Sequence, residues 1–205
     1  QHEYRNDAEP GGVYDQILTA DKPWSKDLKS THAAADFLRE GLPEKPWFLW
    51  VGLLAPHRGF RKPDPDRHPA EWIKVPDILP DNRVTREDMA AYHATVETTD
   101  DSLGKVLDAL EASGQAEDTL VILTTDHGIA FPHMKCCLTQ HGTGITWIMR
   151  HPGSIPAGTA TDALVSHLDV VPTVMDQLAL EVPEDGHGIS LKPVIRDRET
   201  EVRED

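Results

Sequence analysis

Apolar positions change period several times along this chain, and each change marks an element. Ala33, Ala34, Phe37 and Leu38 recur at helical spacing within Thr31 to Glu40, and Gly41-Leu-Pro43 stops the run, which predicts an amphipathic helix with a C-terminal breaker. Trp47-Phe-Leu-Trp-Val-Gly-Leu53 is continuously apolar and breaks at Leu54-Ala-Pro-His57-Arg-Gly-Phe60, so it predicts a strand that delivers a histidine into a loop. Residues 61–84 carry five prolines and many charges, the composition of a long loop. From Thr85 the helical period returns through Met89, Tyr92, Val96, Leu103, Val106, Leu107 and Leu110. It predicts one long helix ending near Ser113-Gly114, with Thr85-Arg-Glu-Asp88 as its capping arrangement.

The second half is built from shorter pieces. Leu120-Val-Ile-Leu123 reads as a strand buried on both faces, and Thr146-Trp-Ile-Met149 as another. Ala163 to Asp169 leads into a helix carrying Val170, Val171, Val174, Met175, Leu178 and Leu180, and Gly186 to Leu191 reads as a turn. Residues 1–30 read as polar loop and residues 196–205 as a charged tail that buries nothing. The alternation between them, over residues 31–195, predicts an α/β fold with a largely parallel central sheet flanked by helices.

Charge and composition remove several classes of partner. A formal net charge of −15, from 35 acidic and 20 basic residues, argues against a nucleic-acid or anionic-membrane surface. No apolar run approaches the roughly 20 residues that span a bilayer. Cys136 and Cys137 are adjacent and rarely could bond to each other, so no disulfide framework is implied and the compartment stays open. The chain starts at Gln1 without a secretory apolar region and ends in the charged run, which leads us to expect a segment of a longer polypeptide.

The candidate chemistry gathers where the Leu120–Leu123 strand stops. Asp126-His127-Gly128 follows at once and Lys135 lies a short distance on, and in open α/β sheets chemistry collects beyond the carboxyl ends of strands. An Asp-His pair offers a cation one carboxylate oxygen and one imidazole nitrogen, and Lys135 adds a fixed positive charge. The structural alternative is a turn capped by Asp126, with Gly128 allowing a positive φ. Asp100 and Asp101 are adjacent on a helix, so they diverge by about 100° and read as structural. His133 and His141 read as surface or supporting histidines, His167 as a loop hydrogen-bonder, and the two cysteines as inert packing residues. Arg58 either orients His57 or sits in solvent.

Several of these stretches together resemble a known family. Pro46-Trp-Phe-Leu-Trp-Val-Gly, Ala55-Pro-His57-Arg58, Asp101-Ser-Leu-Gly-Lys-Val-Leu-Asp-Ala-Leu110 and Asp118 through Gly128 are in the right order and at suitable gaps. So are Phe131-Pro-His-Met-Lys135 and Ser166-His-Leu-Asp-Val-Val-Pro-Thr-Val-Met175. Over roughly residues 30 to 195 they resemble the sulfatases of the alkaline-phosphatase superfamily, closest to the heparan N-sulfatase-like (sulfamidase-like) branch. The resemblance implies a sulfatase catalytic domain, incomplete at both ends.

It also implies roles. Asp126 and His127 match ligands of a single divalent cation, usually Ca²⁺. Lys135 matches a residue that holds the sulfate or leaving-group oxygen, and His57 one that contacts sulfate or protonates the leaving atom. Sulfuryl transfer asks the protein mainly to align groups and balance charge, so these parts suit it. The family nucleophile is a formylglycine made from cysteine in a Cys-x-Pro/Ala-x-Arg setting. Neither Cys136 nor Cys137 stands in one, so the nucleophile and two further metal carboxylates are expected upstream of Gln1.

The implied partner is a sulfated small molecule or saccharide, although the acidic balance disfavours a long polyanion such as heparan. The implied location is periplasmic, secreted or lysosomal. A phosphodiesterase or phosphonate monoester hydrolase of the same superfamily is the alternative, and imidazole ligation would then suit Mn²⁺ or Zn²⁺. A non-catalytic remnant is the third reading.

Overall fold

The computed structural model describes residues 26–182 and 186–197. They form two units: residues up to Ala116 with Thr125–Ile145, and Glu117–Thr124 with Thr146 onward. Residues 1–25 and 198–205, which carry most of the expected N-terminal loop and charged tail, lie outside the described residues.

In the first unit, α1 (Lys26–Glu40) packs on α2 (Arg83–Ala112). α1 starts earlier than its apolar stripe suggested, because Asp27 occupies the first turn and its carbonyl accepts the Thr31 hydroxyl at 2.5 Å. Its buried face is Thr31, Ala34, Ala35 and Leu38. Small residues there permit close approach of the two helices. α2 buries Met89, Ala90, Ala94, Thr95, Ser102, Ala109 and Leu110, while Asp100 and Asp101 are exposed, as their divergent directions imply.

The start of α2 differs from the sequence expectation. Asn82 is the N-cap, and its side-chain oxygen accepts the Thr85 amide at 3.0 Å. Asp88 is thereby released from capping and, as shown below, pairs elsewhere. At the other end Ser113 closes the helix and Gly114 takes a left-handed φ of 74°, the conformation glycine adopts at least cost.

The proline-rich stretch before α2 is ordered. A 3₁₀ turn at Ala70–Trp72 precedes Ile73, and Ile73 and Leu79 join Met89, Ala90, Phe131 and Met134 in one buried cluster. Phe60, Tyr92 and Ile129 pack against it. Two of its members, Phe131 and Met134, come from the loop that follows Asp126.

The second unit contains β1 (Val121–Thr124) and β2 (Trp147–Arg150). They pair antiparallel, from Val121 opposite Arg150 to Thr124 opposite Trp147. The largely parallel sheet expected from the element order is not seen among the described residues, where the ladder is two-stranded and antiparallel. The reason is the connection between them. It holds the loop and the one-turn helix α3 (Gln140–Thr143), not the long crossover helix that parallel neighbours need. β1 is half-buried rather than covered on both faces. Trp47–Leu53 is also no ladder strand among the described residues; its burial alternates, leaving Phe48 71% and Trp50 72% exposed.

After β2, Ser166 and Asp169 form a reciprocal capping box ahead of α4 (Val170–Gln177). Asp169 is fully buried, and its carboxylate accepts the Ser166 amide at 2.8 Å and the Ile189 amide at 2.9 Å. A buried carboxylate is tolerated because backbone donors replace its water. The first two residues of the expected charged tail, Arg196 and Asp197, belong to α5 (Lys192–Asp197). Lys192 fastens it to Asp176, Nζ to Oδ1 at 2.6 Å, and this pair together with Ser190 holds the Asp176 carboxyl below its ordinary pKa.

Two substitutions on α2 test this description. Asn82→Ala removes the cap and should cost about 1 kcal/mol. A Cβ at Gly104 meets nothing within 4 Å, so Gly104→Ala should add up to about 1 kcal/mol through helix propensity. Urea unfolding of the protein and both variants should move the midpoint in opposite directions.

Candidate active site

Two segments of the first unit carry the four candidate residues. The first is the corner after Leu53. Asp27 in α1 accepts the backbone amides of Leu54 and Ala55 at 2.6 and 2.8 Å, so a helix carboxylate fixes the corner just before His57. The His57 amide donates to the Leu54 carbonyl at 2.9 Å. The imidazole is exposed, and its Nδ1 donates to the Arg58 carbonyl. A carbonyl only accepts, so Nδ1 carries the proton and neutral His57 presents a free Nε2.

The second segment begins two residues beyond β1. Asp126 is 82% exposed at its side chain and His127 about one-third. His127 Nδ1 donates to the Gly128 carbonyl at 2.6 Å, which leaves the lone pair of the neutral ring on Nε2. That atom lies 3.4 Å from Asp126 Oδ2. Two acceptors at this distance repel unless something positive lies between them. A proton on Nε2 satisfies the pair as an ion pair. A cation satisfies it as well: ligand atoms about 2.4 Å from one hard cation and at right angles are about 3.4 Å apart. Among the described residues no cluster of three metal-competent side chains forms, so the pair supplies at most part of a coordination shell.

Backbone packing holds this loop. The Gly128 amide donates to the Gly142 carbonyl at 3.0 Å, and a Cβ on Gly128 would sit 1.8 Å from the His141 carbonyl oxygen. Gly142 is as crowded, with a Cβ meeting the Cys137 and Met134 carbonyls at 2.1 and 2.4 Å. The reason for Gly128 is therefore close approach, not the positive φ suggested by its neighbours. Left-handed φ values fall instead on His133 and Cys136, at 63° and 65°. The Lys135 amide donates to the Ile129 carbonyl at 3.2 Å. Flanking residues Phe131 and Met134 anchor Lys135, whose half-buried side chain makes no hydrogen bond or ion pair among the described residues.

Arg58 joins the two segments. Its Nε donates to the Ala130 carbonyl at 2.9 Å, and its two terminal nitrogens reach both oxygens of Asp88 at 3.0 and 2.6 Å. The guanidinium also lies 4.4 Å from the Phe60 ring centre and 4.9 Å from that of Phe131. Those rings stack at 5.7 Å, with Tyr92 edge-on to both. Burial in this cluster pushes the Tyr92 phenol pKa up. Of the two readings of Arg58, orienting His57 or sitting in solvent, the contacts make it a bridge between the segments while 43% of its side chain stays exposed.

No hydrogen bond or ion pair joins His57 or Lys135 to Asp126 or His127 among the described residues; the segments meet through Arg58 and Ala130. His133 and His141 are exposed, the first through its carbonyl accepting Thr139. His167, in the second unit, contacts Thr124 at 3.1 Å as a loop hydrogen-bonder. Both cysteines are free thiols. The sequence alone did not single out Asp27, assigned Asp88 to capping and left Arg58 between two readings. The only available signal was the arginine beside His57, and its partners lie 30 and 72 residues away.

The sulfatase family profile matches residues 5–180, and the chain belongs to that family. It is 32% identical over 164 residues to human N-sulphoglucosamine sulphohydrolase, covering 68% of this chain and 33% of that protein. A solved Bacteroides thetaiotaomicron structure, described under metabolism of multiple glycosaminoglycans, superposes with a TM-score of 0.71 at 26% identity. It covers 90% of this chain and 42% of that one. The phosphonate monoester hydrolase of Silicibacter pomeroyi shares the fold, with a TM-score of 0.63 at 21% identity over 88% of this chain and 43% of that one. The architecture is thus alkaline-phosphatase-like, and the chain spans well under half the length of these relatives.

Gly128→Ala tests the backbone packing. The added carbon must displace the 139–143 turn, and overpacking of this kind typically costs about 1–3 kcal/mol. Denaturant unfolding should show a loss in that range.

Proposed function

We propose that this chain forms part of the catalytic domain of a metal-dependent sulfatase that hydrolyses a sulfuric ester or a sulfamate. The observation that supports the reading is the His127 ring, held at Nδ1 by the Gly128 carbonyl with Nε2 turned to within 3.4 Å of the Asp126 carboxylate. Asp126 and His127 would hold one divalent cation, Ca²⁺ by family resemblance. When bound, such an ion supplies fixed positive charge beside the sulfate oxygens.

The remaining roles follow from the donors. The imidazole of His57 is held at Nδ1 by the Arg58 carbonyl, so Nε2 is the atom that, once the ring has taken up a second proton, delivers it to the departing oxygen or nitrogen and returns to the neutral Nδ1–H ring. The ammonium of Lys135 has no ion-pair partner among the described residues and is free to neutralise charge on the sulfate in the transition state. The nucleophile is not among these residues, because neither cysteine stands in the family's setting. We therefore expect the 205-residue chain by itself to turn over neither aryl sulfates nor sulfamates. The human relative's name makes a sulfated amino sugar the first substrate class to try.

A phosphonate or phosphate diester hydrolase is the second reading, favoured by the nitrogen ligand. Imidazole suits Mn²⁺ and Zn²⁺ better than Ca²⁺.

The test uses the full-length enzyme containing this chain, with an aryl sulfate and a sulfamate as substrates. Lys135→Ala should lower kcat/KM on both by about 10²–10³ and leave the melting temperature nearly unchanged. His57→Ala should hurt the sulfamate far more, since an activated phenolate leaves without a proton and an amine does not. Wild-type rates in Lys135→Ala would remove that residue from the site, and preference for a phosphonate ester would favour the second reading.

A further inference from the structure

The geometry points to Arg58 as a positioning residue that sets the His57 corner against the Asp126–Lys135 loop, with Asp88 of α2 as its fixed anchor. This rests on the proposed roles of His57 and Lys135. A surface ion pair alone would do little, because exposed pairs are screened and costly to order. Arg58 is different in kind. One planar fork meets both Asp88 oxygens, the third nitrogen meets the Ala130 carbonyl, and the group lies 4.4 and 4.9 Å from the centres of two mutually stacked rings, Phe60 and Phe131. A lysine keeps the charge but cannot make that set of contacts.

The bridge acts on both candidate groups through the backbone. On one side, the Arg58 carbonyl is the acceptor that fixes the His57 ring. On the other, Ala130 follows Ile129, whose carbonyl receives the Lys135 amide. Movement of Arg58 therefore shifts the acid and the lysine relative to each other while leaving each in place within its own loop. Asp88, which the sequence pattern assigned to helix capping, is available for this because Asn82 supplies the cap.

Arg86 provides an internal control. It sits on the same helix, pairs with Asp81 in the same bidentate way and also reaches two backbone carbonyls, of Glu71 and Ile73. Its contacts avoid both candidate segments.

Arg58→Lys, Asp88→Asn and Arg86→Lys should be compared in the full-length protein by amide hydrogen exchange and by kinetics. Arg58→Lys and Asp88→Asn should speed exchange in residues 54–60 and 129–136 together. Arg86→Lys should leave both segments at wild-type protection. With a sulfamate, Arg58→Lys should lower kcat by up to about 10², the scale of a 1 Å misplacement, with KM little changed, whereas Arg86→Lys should retain wild-type kcat. Asp88→Asn keeps the shape of the anchor and serves if Arg58→Lys fails to fold. Faster exchange in only one segment, or equal effects of Arg58→Lys and Arg86→Lys, would overturn the assignment. Absence of sulfatase turnover in the wild type would sink the proposed function, while joint exchange would still decide the bridge.

Discussion

Burial of Phe131 and Met134 is the interaction on which the rest of the candidate site depends. The loop after β1 is polar, glycine-containing and without long helices, so it has little local preference for one shape. Two of its large apolar side chains, Phe131 and Met134, insert among Ile73, Leu79, Met89 and Ala90. Full burial of such a side chain is worth about 1.5–3 kcal/mol, enough together to select one loop conformation. The polar residues between and beside them, Lys135 included, are then held by backbone they do not themselves stabilise. Gly128 and Gly142 complete the arrangement by letting two carbonyl-lined backbones touch where any side chain would intrude.

The same economy recurs at the two histidines. Each donates Nδ1–H to a nearby backbone carbonyl, His57 to Arg58 and His127 to Gly128. Each ring is fixed in tautomer and left with Nε2 for chemistry. His57 and His127 nonetheless face different neighbours. A carboxylate stands beside His127, which suits a cation ligand, whereas no carboxylate pairs with His57 among the described residues, which leaves its Nε2 open to exchange a proton with a leaving group. Neighbouring groups, not the side-chain type, separate the two roles.

Much of this was legible in the sequence, and the illegible part has common physical causes. The 3.6-residue period found α2, and Ser113-Gly114 marked its end, because helix signals are local. β1 and β2 were found to within a residue at each end. Their antiparallel pairing was not, since element order alone carries no strand direction. The helix cap was misplaced to Thr85 because its hydroxyl and the true cap at Asn82 lie only three residues apart and suit the same motif. Asp126, His127, Lys135 and His57 stood out as reactive side chains beside predicted strand ends. Arg58, Asp88 and Asp27 did not, because what gives them meaning is three-dimensional: a guanidinium against a stacked pair of rings, and a carboxylate receiving two amides 27 and 28 residues away. Gly128 was visible as a glycine, but its reason was a neighbour beyond the reach of local pattern.

The most direct measurement is a calorimetric titration of Ca²⁺, and in parallel Mn²⁺, into metal-stripped full-length protein. One divalent ion should bind, and both Asp126→Ala and His127→Ala should weaken it by at least about 10², since even the outer partners of metal ligands are typically worth 10–100-fold. Wild-type affinity in both variants, or no binding by the wild type, would contradict the assignment of Asp126 and His127 as a cation-binding pair.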